Sequence, residues 1–205
     1  MTTSPSNPVA HHTAALTRPP RLWSREEVLA KPSPLPPSPG VYAWYFRQLP
    51  WPIDPGDCVT FDGSTLLYVG ISPKRPPANG APPSTQTLAS RIRYHYTGNA
   101  EGSTLRLTLG CLLAEHLGIQ LRRVGSGTRM TFSTGEQRLS AWMSENAFVC
   151  WTVNDRPWEL EEQLIRTVGL PLNLDQNRHH LFHATLTRLR KEAKKRARSL
   201  LVLPG

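Results

Sequence analysis

The feature that most constrains this chain is a pair of short apolar runs, Gly40-Val41-Tyr42-Ala43-Trp44-Tyr45-Phe46 and Leu66-Leu67-Tyr68-Val69-Gly70-Ile71. Both are rich in β-branched and aromatic residues, and each carries a glycine that lets another backbone approach closely, so two adjacent strands are predicted. With a period of two, Tyr42, Trp44 and Phe46 share a face of the first strand, and Leu66, Tyr68 and Gly70 share a face of the second. Two tyrosine hydroxyls therefore fall on one small sheet. Taken alone, the strands fit aromatic core packing, with the hydroxyls satisfied at its edge, better than they fit any chemistry.

Between these strands, Arg47 to Ser64 contains Pro50, Pro52, Pro55 and Gly56, which predicts a long loop rather than a tight hairpin turn. A second proline-rich stretch, Pro73 to Pro83, precedes a helix capped by Ser84 or Thr85 and running to about Tyr96. Leu88, Ala89, Ile92 and Tyr96 form its apolar arc, and Arg91 and His95 stand side by side at the edge. Ser103 caps a core helix with the stripe Leu105, Leu109, Leu112, Leu113 and Leu117, ending at Gly118. Gln120 to Thr134 reads as a hairpin, and Thr134-Gly135-Glu136-Gln137 has capping-box spacing for a helix through Leu139, Trp142 and Met143. The near-continuous apolar run Ala147 to Val153 fits a buried strand.

The next helix begins near Asp155, with Pro157 in its first turn, and stops at Gly169. At 100° per residue, Trp158, Leu164, Ile165 and Val168 all fall within about 60° of Glu161, which puts a carboxylate in the middle of the inward stripe. Such a group is costly unless it meets a cation or hydrogen-bond donors, so a functional carboxylate and a structural ion pair both fit. From Phe182, the positions Leu186, Leu189, Ala193, Ala197 and Leu200 keep helical spacing. The other face carries Arg188, Arg190, Lys191, Lys194, Lys195 and Arg198, a stripe suited to phosphate.

At 205 residues the chain suits one domain, spanning 21–200, with a basic C-terminal helix over about 181–201. Residues 1–20 have the Ser, Thr, Pro and His content of a flexible tail, in which His11 and His12 read as solvated. Ser24 is the expected N-cap of a short helix within Trp23 to Ala30. The net charge of +9 favours a polyanionic partner, nucleic acid first. Cys58, Cys111 and Cys150 are odd in number and far apart, which argues against a disulfide framework or a zinc ribbon. No apolar run approaches the ~20 residues that span a bilayer, and no secretory signal precedes Pro20, so a soluble cytoplasmic protein without a membrane partner is expected.

Six positions, in order, resemble the GIY-YIG nuclease family. Gly40-Val41-Tyr42 is similar to the first element of the family's name and Tyr68-Val69-Gly70 to the second. Leu88 to His95 resembles the helix bearing the family's catalytic Arg, here Arg91, with a His one turn later, here His95. Leu160 to Ile165 resembles the helix with the metal-binding Glu, here Glu161, and Asn173 matches the closing Asn. The resemblance covers residues 39–173. Ile71-Ser72 stand where the family often has a Lys, with Lys74 the nearest substitute, and residues 97–146 form an insertion.

The resemblance implies an α/β (α+β) fold, a small central antiparallel sheet of about three strands flanked by helices, and the patterns read above make the inserted segment a helix-hairpin-helix. It further implies hydrolysis of phosphodiester bonds, with DNA ahead of RNA, using Mg²⁺ or Mn²⁺ held by Glu161. On that footing Arg91 offsets charge at phosphorus and Tyr42 orients or deprotonates water. His95 and Tyr68 accept or relay its proton, and Asn173 holds the geometry. Lys74, Arg93, Arg190, Lys191, Lys194 and Lys195 are the expected nucleic-acid contacts. The alternative is a catalytically degenerate DNA- or RNA-binding module on the same fold.

Overall fold

The computed structural model describes residues 8–79, 82 and 84–204. The two apolar runs become β1 (Gly40–Phe46) and β3 (Ser64–Ser72), which pair antiparallel and set Tyr42 opposite Gly70 and Trp44 opposite Tyr68. β2 (Thr60–Phe61) continues the sheet beyond β3, and β6 (Ala147–Val153) lies antiparallel on the other side of β1, giving the order β2-β3-β1-β6. The sheet thus has four strands rather than about three. The extra one arises because Asp62 and Gly63 both take positive φ, forming a tight turn inside what the proline content suggested was open loop. Asp-Gly is a strong local hairpin signal, and the prolines around it obscured it.

The helices are α1 (Pro8–Thr17), α2 (Arg25–Leu29), α3 (Leu88–Thr97), α4 (Thr104–Leu112), α5 (Gly135–Asn146), α6 (Pro157–Thr167) and α7 (His183–Ser199). Between α4 and α5 a separate hairpin pairs β4 (Arg122–Val124) with β5 (Arg129–Thr131), so the insertion is the expected helix-hairpin-helix. Among the described residues no helix is long and apolar enough to cross a membrane.

The sheet is buried on both faces. Tyr42, Trp44, Phe46, Leu67 and Tyr68 join the larger core with Ile92 and Tyr96 of α3 and Leu139 and Met143 of α5. Val41, Ala43, Tyr45, Leu66 and Val69 pack with Leu160, Leu164 and Ile165 of α6. Leu66 is therefore not on the face of Tyr68, as strict alternation predicts. The register shifts between Trp44 and Tyr45, leaving Leu67 as an extra residue on β3, and this bulge reverses the facing of everything before it.

Residues 8–17 also depart from expectation. They are not a loose tail: Leu16 is fully buried in the second core, its carbonyl accepts the Tyr45 hydroxyl at 2.7 Å, and His12 Nδ1 lies 2.8 Å from Thr152 Oγ1. Pro8 at the first position and the good helix formers Ala10, Ala14, Ala15 and Leu16 outweigh the polar composition. Residues 1–7 lie outside the described residues.

Capping follows the rule at some ends and departs from it at others. Ser24 caps α2 in a reciprocal box with Glu27, as expected. α3 is capped by Thr87 with Ser90, later than Ser84 or Thr85. Thr134 itself has helical dihedrals and makes no side-chain cap, and Glu136 in the first turn serves other partners. Its carboxylate accepts the amides of Ala100 and Phe132 at 2.8 and 3.1 Å and the Arg106 guanidinium at 2.7 Å. Arg106, fully buried, also donates to the carbonyls of His95 and Tyr96 at 3.2 and 3.3 Å, so one ion pair ties α4 to α5 and to the end of α3.

Candidate active site

The pairing of β1 with β3 brings the tyrosines and the first helix together. The Tyr42 ring lies across Gly70, where an added Cβ would stand 2.5 Å from the Tyr42 hydroxyl, so only glycine leaves room for it. From there Tyr42 Oη reaches His95 Nε2 at 2.8 Å, and His95 Nδ1 meets Ser103 Oγ at 2.7 Å. Ser103 is at once the N-cap of α4, accepting the Arg106 amide, and the last member of this buried chain. Arg91, one turn before His95 on α3, donates Nη1 to the Gly102 carbonyl at 2.8 Å and reaches the wall of the adjoining cavity.

Burial governs the protonation of these groups. It drives His95 well below its ordinary 6.5, assisted by the positive charges of Arg91 and Arg106, so the imidazole is neutral near pH 7. Burial pushes the Tyr42 phenol up to about 12 against the opposing charge of Arg91. Tyr68 is likewise raised, by burial first and then by the Tyr42 and Glu161 charges. Neither phenol ionises by itself at neutral pH.

Beside this chain lies a cavity of about 470 Å³ whose wall includes Tyr42, Tyr68, Arg91, Glu161 and Asn173. Lys74, Arg75 and Arg190 contribute further cations, and Asp175 a second carboxylate. Glu161 is half-buried on α6 between Trp158 and Ile165, which also line the wall. Its carboxyl rises to about 7, from burial first and the Asp175 charge second, with Lys74 and Arg75 opposing. Asn173 Oδ1 accepts the Val69 amide and its Nδ2 donates to the Val69 carbonyl, both at 2.9 Å, which locks the chain after α6 against β3.

Among the described residues Glu161 forms no hydrogen bond and no ion pair, although it is half-buried. A carboxylate in that condition suits a hard cation. Mg²⁺ takes one or two carboxylates and keeps several waters, and a cavity with Glu161 and Asp175 on its wall matches that donor set. No cluster of three or more His, Cys, Asp or Glu occurs among the described residues, so a cage built wholly from protein ligands does not fit.

The profile of the GIY-YIG catalytic domain matches residues 40–192, well over half of the chain. The chain belongs to the GIY-YIG family. Searches of curated proteins and of solved structures return no match. The GIY-YIG match extends past Asn173 into α7 and so includes Arg190.

Of the positions assigned from the GIY-YIG motifs, Tyr42, Tyr68, Arg91, Glu161 and Asn173 meet at the cavity, and His95 stands behind Tyr42. Lys74 also reaches the wall. Arg93, Lys191, Lys194 and Lys195 do not line it; Arg93, Lys191 and Lys195 are exposed and Lys194 half-exposed. Sequence reasoning missed Asp175, although it follows Asn173 by two residues in the same loop, and treated Ser103 only as a cap. Nothing local announces the contact of Ser103 with His95, because it requires α4 to start where α3 and its short connection end.

Proposed function

We propose that the protein is a metal-dependent endonuclease that hydrolyses phosphodiester bonds in DNA. The observation that carries this reading is the meeting on one cavity of Tyr42, Arg91 and a half-buried Glu161 that has no hydrogen bond or ion pair among the described residues, with neutral His95 bonded to the Tyr42 hydroxyl. A binding module needs neither of the last two.

Glu161 would hold one Mg²⁺ or Mn²⁺, which when bound supplies positive charge to the phosphoryl oxygens and to the departing 3′ oxygen. Arg91, fixed at one end by the Gly102 carbonyl, presents its remaining donors to a phosphate oxygen and offsets charge as the new bond forms. Tyr42 orients the attacking water. As the water oxygen bonds to phosphorus, its proton passes to Tyr42 Oη while the phenol proton moves to His95 Nε2. The depressed basicity of His95 makes it a poor store for that proton, so as the P–O3′ bond breaks the phenol proton returns from His95 Nε2 to Tyr42 Oη. Tyr42 releases the proton taken from water to the solvent of the cavity, and that solvent protonates the departing 3′ oxygen. The contact of Nδ1 with Ser103 Oγ holds the ring for both transfers. Tyr68, on the same wall without that link, shapes the phosphate pocket, and Asn173 keeps β3 in place beneath it. Lys74, Arg93 and the basic face of α7, with Arg190, Lys191, Lys194 and Lys195, hold the sugar-phosphate backbone without reading sequence.

The test is a cleavage panel of duplex, branched, damaged and single-stranded DNA, and RNA, with Mg²⁺ or Mn²⁺. Glu161→Ala is expected to abolish metal-dependent cleavage while DNA binding persists. Tyr42→Phe is expected to slow cleavage by about 10²–10⁴-fold. Undiminished cleavage by Glu161→Ala would remove the metal assignment. Absence of cleavage by the wild-type protein on every substrate would leave the binding module.

A further inference from the structure

Arg190 is unlike the other basic residues of α7. Lys191 and Lys195 are exposed on the outer side of the helix, whereas Arg190 is half-buried at the seam with α4 and reaches the cavity wall. Its guanidinium makes a single long hydrogen bond, Nη1 to Thr108 Oγ1 at 3.4 Å, and forms no ion pair among the described residues.

Arg106, the fully buried arginine of α4, shows what a satisfied guanidinium requires. It is paired with Glu136 and bonded to Ser140 and to three backbone carbonyls. A guanidinium carries five N–H donors, and removing such a cation from water without an anion is costly. Burial accordingly pulls the pKa of Arg190 down, with Cys111, Asp175 and Tyr68 opposing. Most of its donors have no protein partner among the described residues, and the side chain lines the cavity.

A helix that follows the last motif residue thus supplies a cation to the same space that holds Tyr42, Arg91 and Glu161. At about 470 Å³ the cavity falls in the range of small-ligand sites and suits one nucleotide unit rather than the full width of a duplex. We propose that Arg190 binds the phosphate adjacent to the scissile one, so that the cavity grips a nucleotide at both of its phosphates. Thr104, one turn from Thr108 on α4, also lies on the wall and offers that phosphate a hydroxyl. This assignment rests on the reading of the cavity as a phosphodiester site. It separates Arg190 from Lys191, Lys194 and Lys195, whose outward charge acts on phosphates farther along the strand.

The probes are thymidine 3′,5′-bisphosphate and the two thymidine monophosphates, titrated calorimetrically with Ca²⁺ in place of Mg²⁺. The proteins are wild type, Arg190→Gln, Arg190→Lys and the triple Lys191→Ala/Lys194→Ala/Lys195→Ala variant. A charge-assisted contact predicts that wild type prefers the bisphosphate to either monophosphate by about ten- to a hundredfold. Arg190→Gln should lose that preference, Arg190→Lys keep part of it, and the triple variant retain it. Circular dichroism and melting of both Arg190 variants verify the fold, and retention of the preference by Arg190→Lys excludes a general packing defect.

A wild-type protein with no preference, or an Arg190→Gln protein with an undiminished one, overturns the proposal. DNA cleavage by wild type together with an Arg190-independent preference sinks this inference and spares the nuclease reading. An Arg190-dependent preference in a protein that cleaves nothing does the reverse.

Discussion

Replacing Glu161 with glutamine should stabilise the fold as it removes the proposed metal ligand. The carboxyl is pushed from 4.5 up to about 7, chiefly by burial and then by Asp175. One pKa unit corresponds to about 1.36 kcal/mol, so keeping Glu161 ionised in the fold costs about 3 kcal/mol relative to the unfolded chain. Because the native state binds this proton more tightly than the unfolded state, the penalty is absent below about pH 4.5. It grows as pH rises through the interval to about 7 and is level above it.

Glutamine keeps the shape and carries no charge. Near pH 8 without metal, Glu161→Gln should therefore be more stable by about 3 kcal/mol, or about 6–12 °C in Tm for a domain of this size. Near pH 4 the two proteins should melt together. Adding Mg²⁺ near pH 8 should raise the wild-type Tm and leave that of the variant unmoved, since a ligand stabilises only the state that binds it. Thermal melts monitored by circular dichroism, from about pH 4 to 8.5 with EDTA or Mg²⁺, read all of this. A variant no more stable than wild type near pH 8, or a difference that ignores pH, would refute the argument.

Two further outcomes follow from the packing. Gly70→Ala should force the Tyr42 ring away from His95, because the new Cβ would stand 2.5 Å from the Tyr42 hydroxyl. A cleavage rate reduced at least about a hundredfold with a stability loss of about 1–3 kcal/mol is expected, measured by kinetics and melting side by side. Glu136→Gln should leave the buried Arg106 without its counter-charge and destabilise by about 3–5 kcal/mol in urea unfolding. The double variant Arg106→Met/Glu136→Gln should recover part of that loss.

What could be read in the chain beforehand was whatever depends on local period and spacing. Tyr42 and Gly70 each lie in a run whose composition already demands a strand, and Glu161 stands out because a 3.6-residue period marks it as the misfit on an apolar stripe. The contact of Ser103 with His95 and the seam position of Arg190 depend on where separate elements come to rest, and no neighbouring residue encodes that. The Leu67 bulge was hidden for a different reason. Leucines at 66 and 67 suit either face, so the pattern carries no mark of the slip, and only pairing with β1 reveals it. In α1 the polar composition pointed to a tail, while one leucine packed beneath Tyr45 helps hold ten residues in place.

The two bonds from Asn173 to Val69 also cover an edge of the sheet. β3 is flanked by β1, but β2 accompanies it only over Thr65 and Ser64, so the backbone from Leu67 onward would otherwise present an open strand edge. The Asn173 amide occupies the Val69 donor and acceptor, and the Leu172 amide takes the Leu67 carbonyl at 3.0 Å, so the loop after α6 stands in for a missing strand. An open edge there would invite a second chain to add its own strand. The asparagine on the cavity wall thus also closes this stretch of strand edge to pairing with another strand.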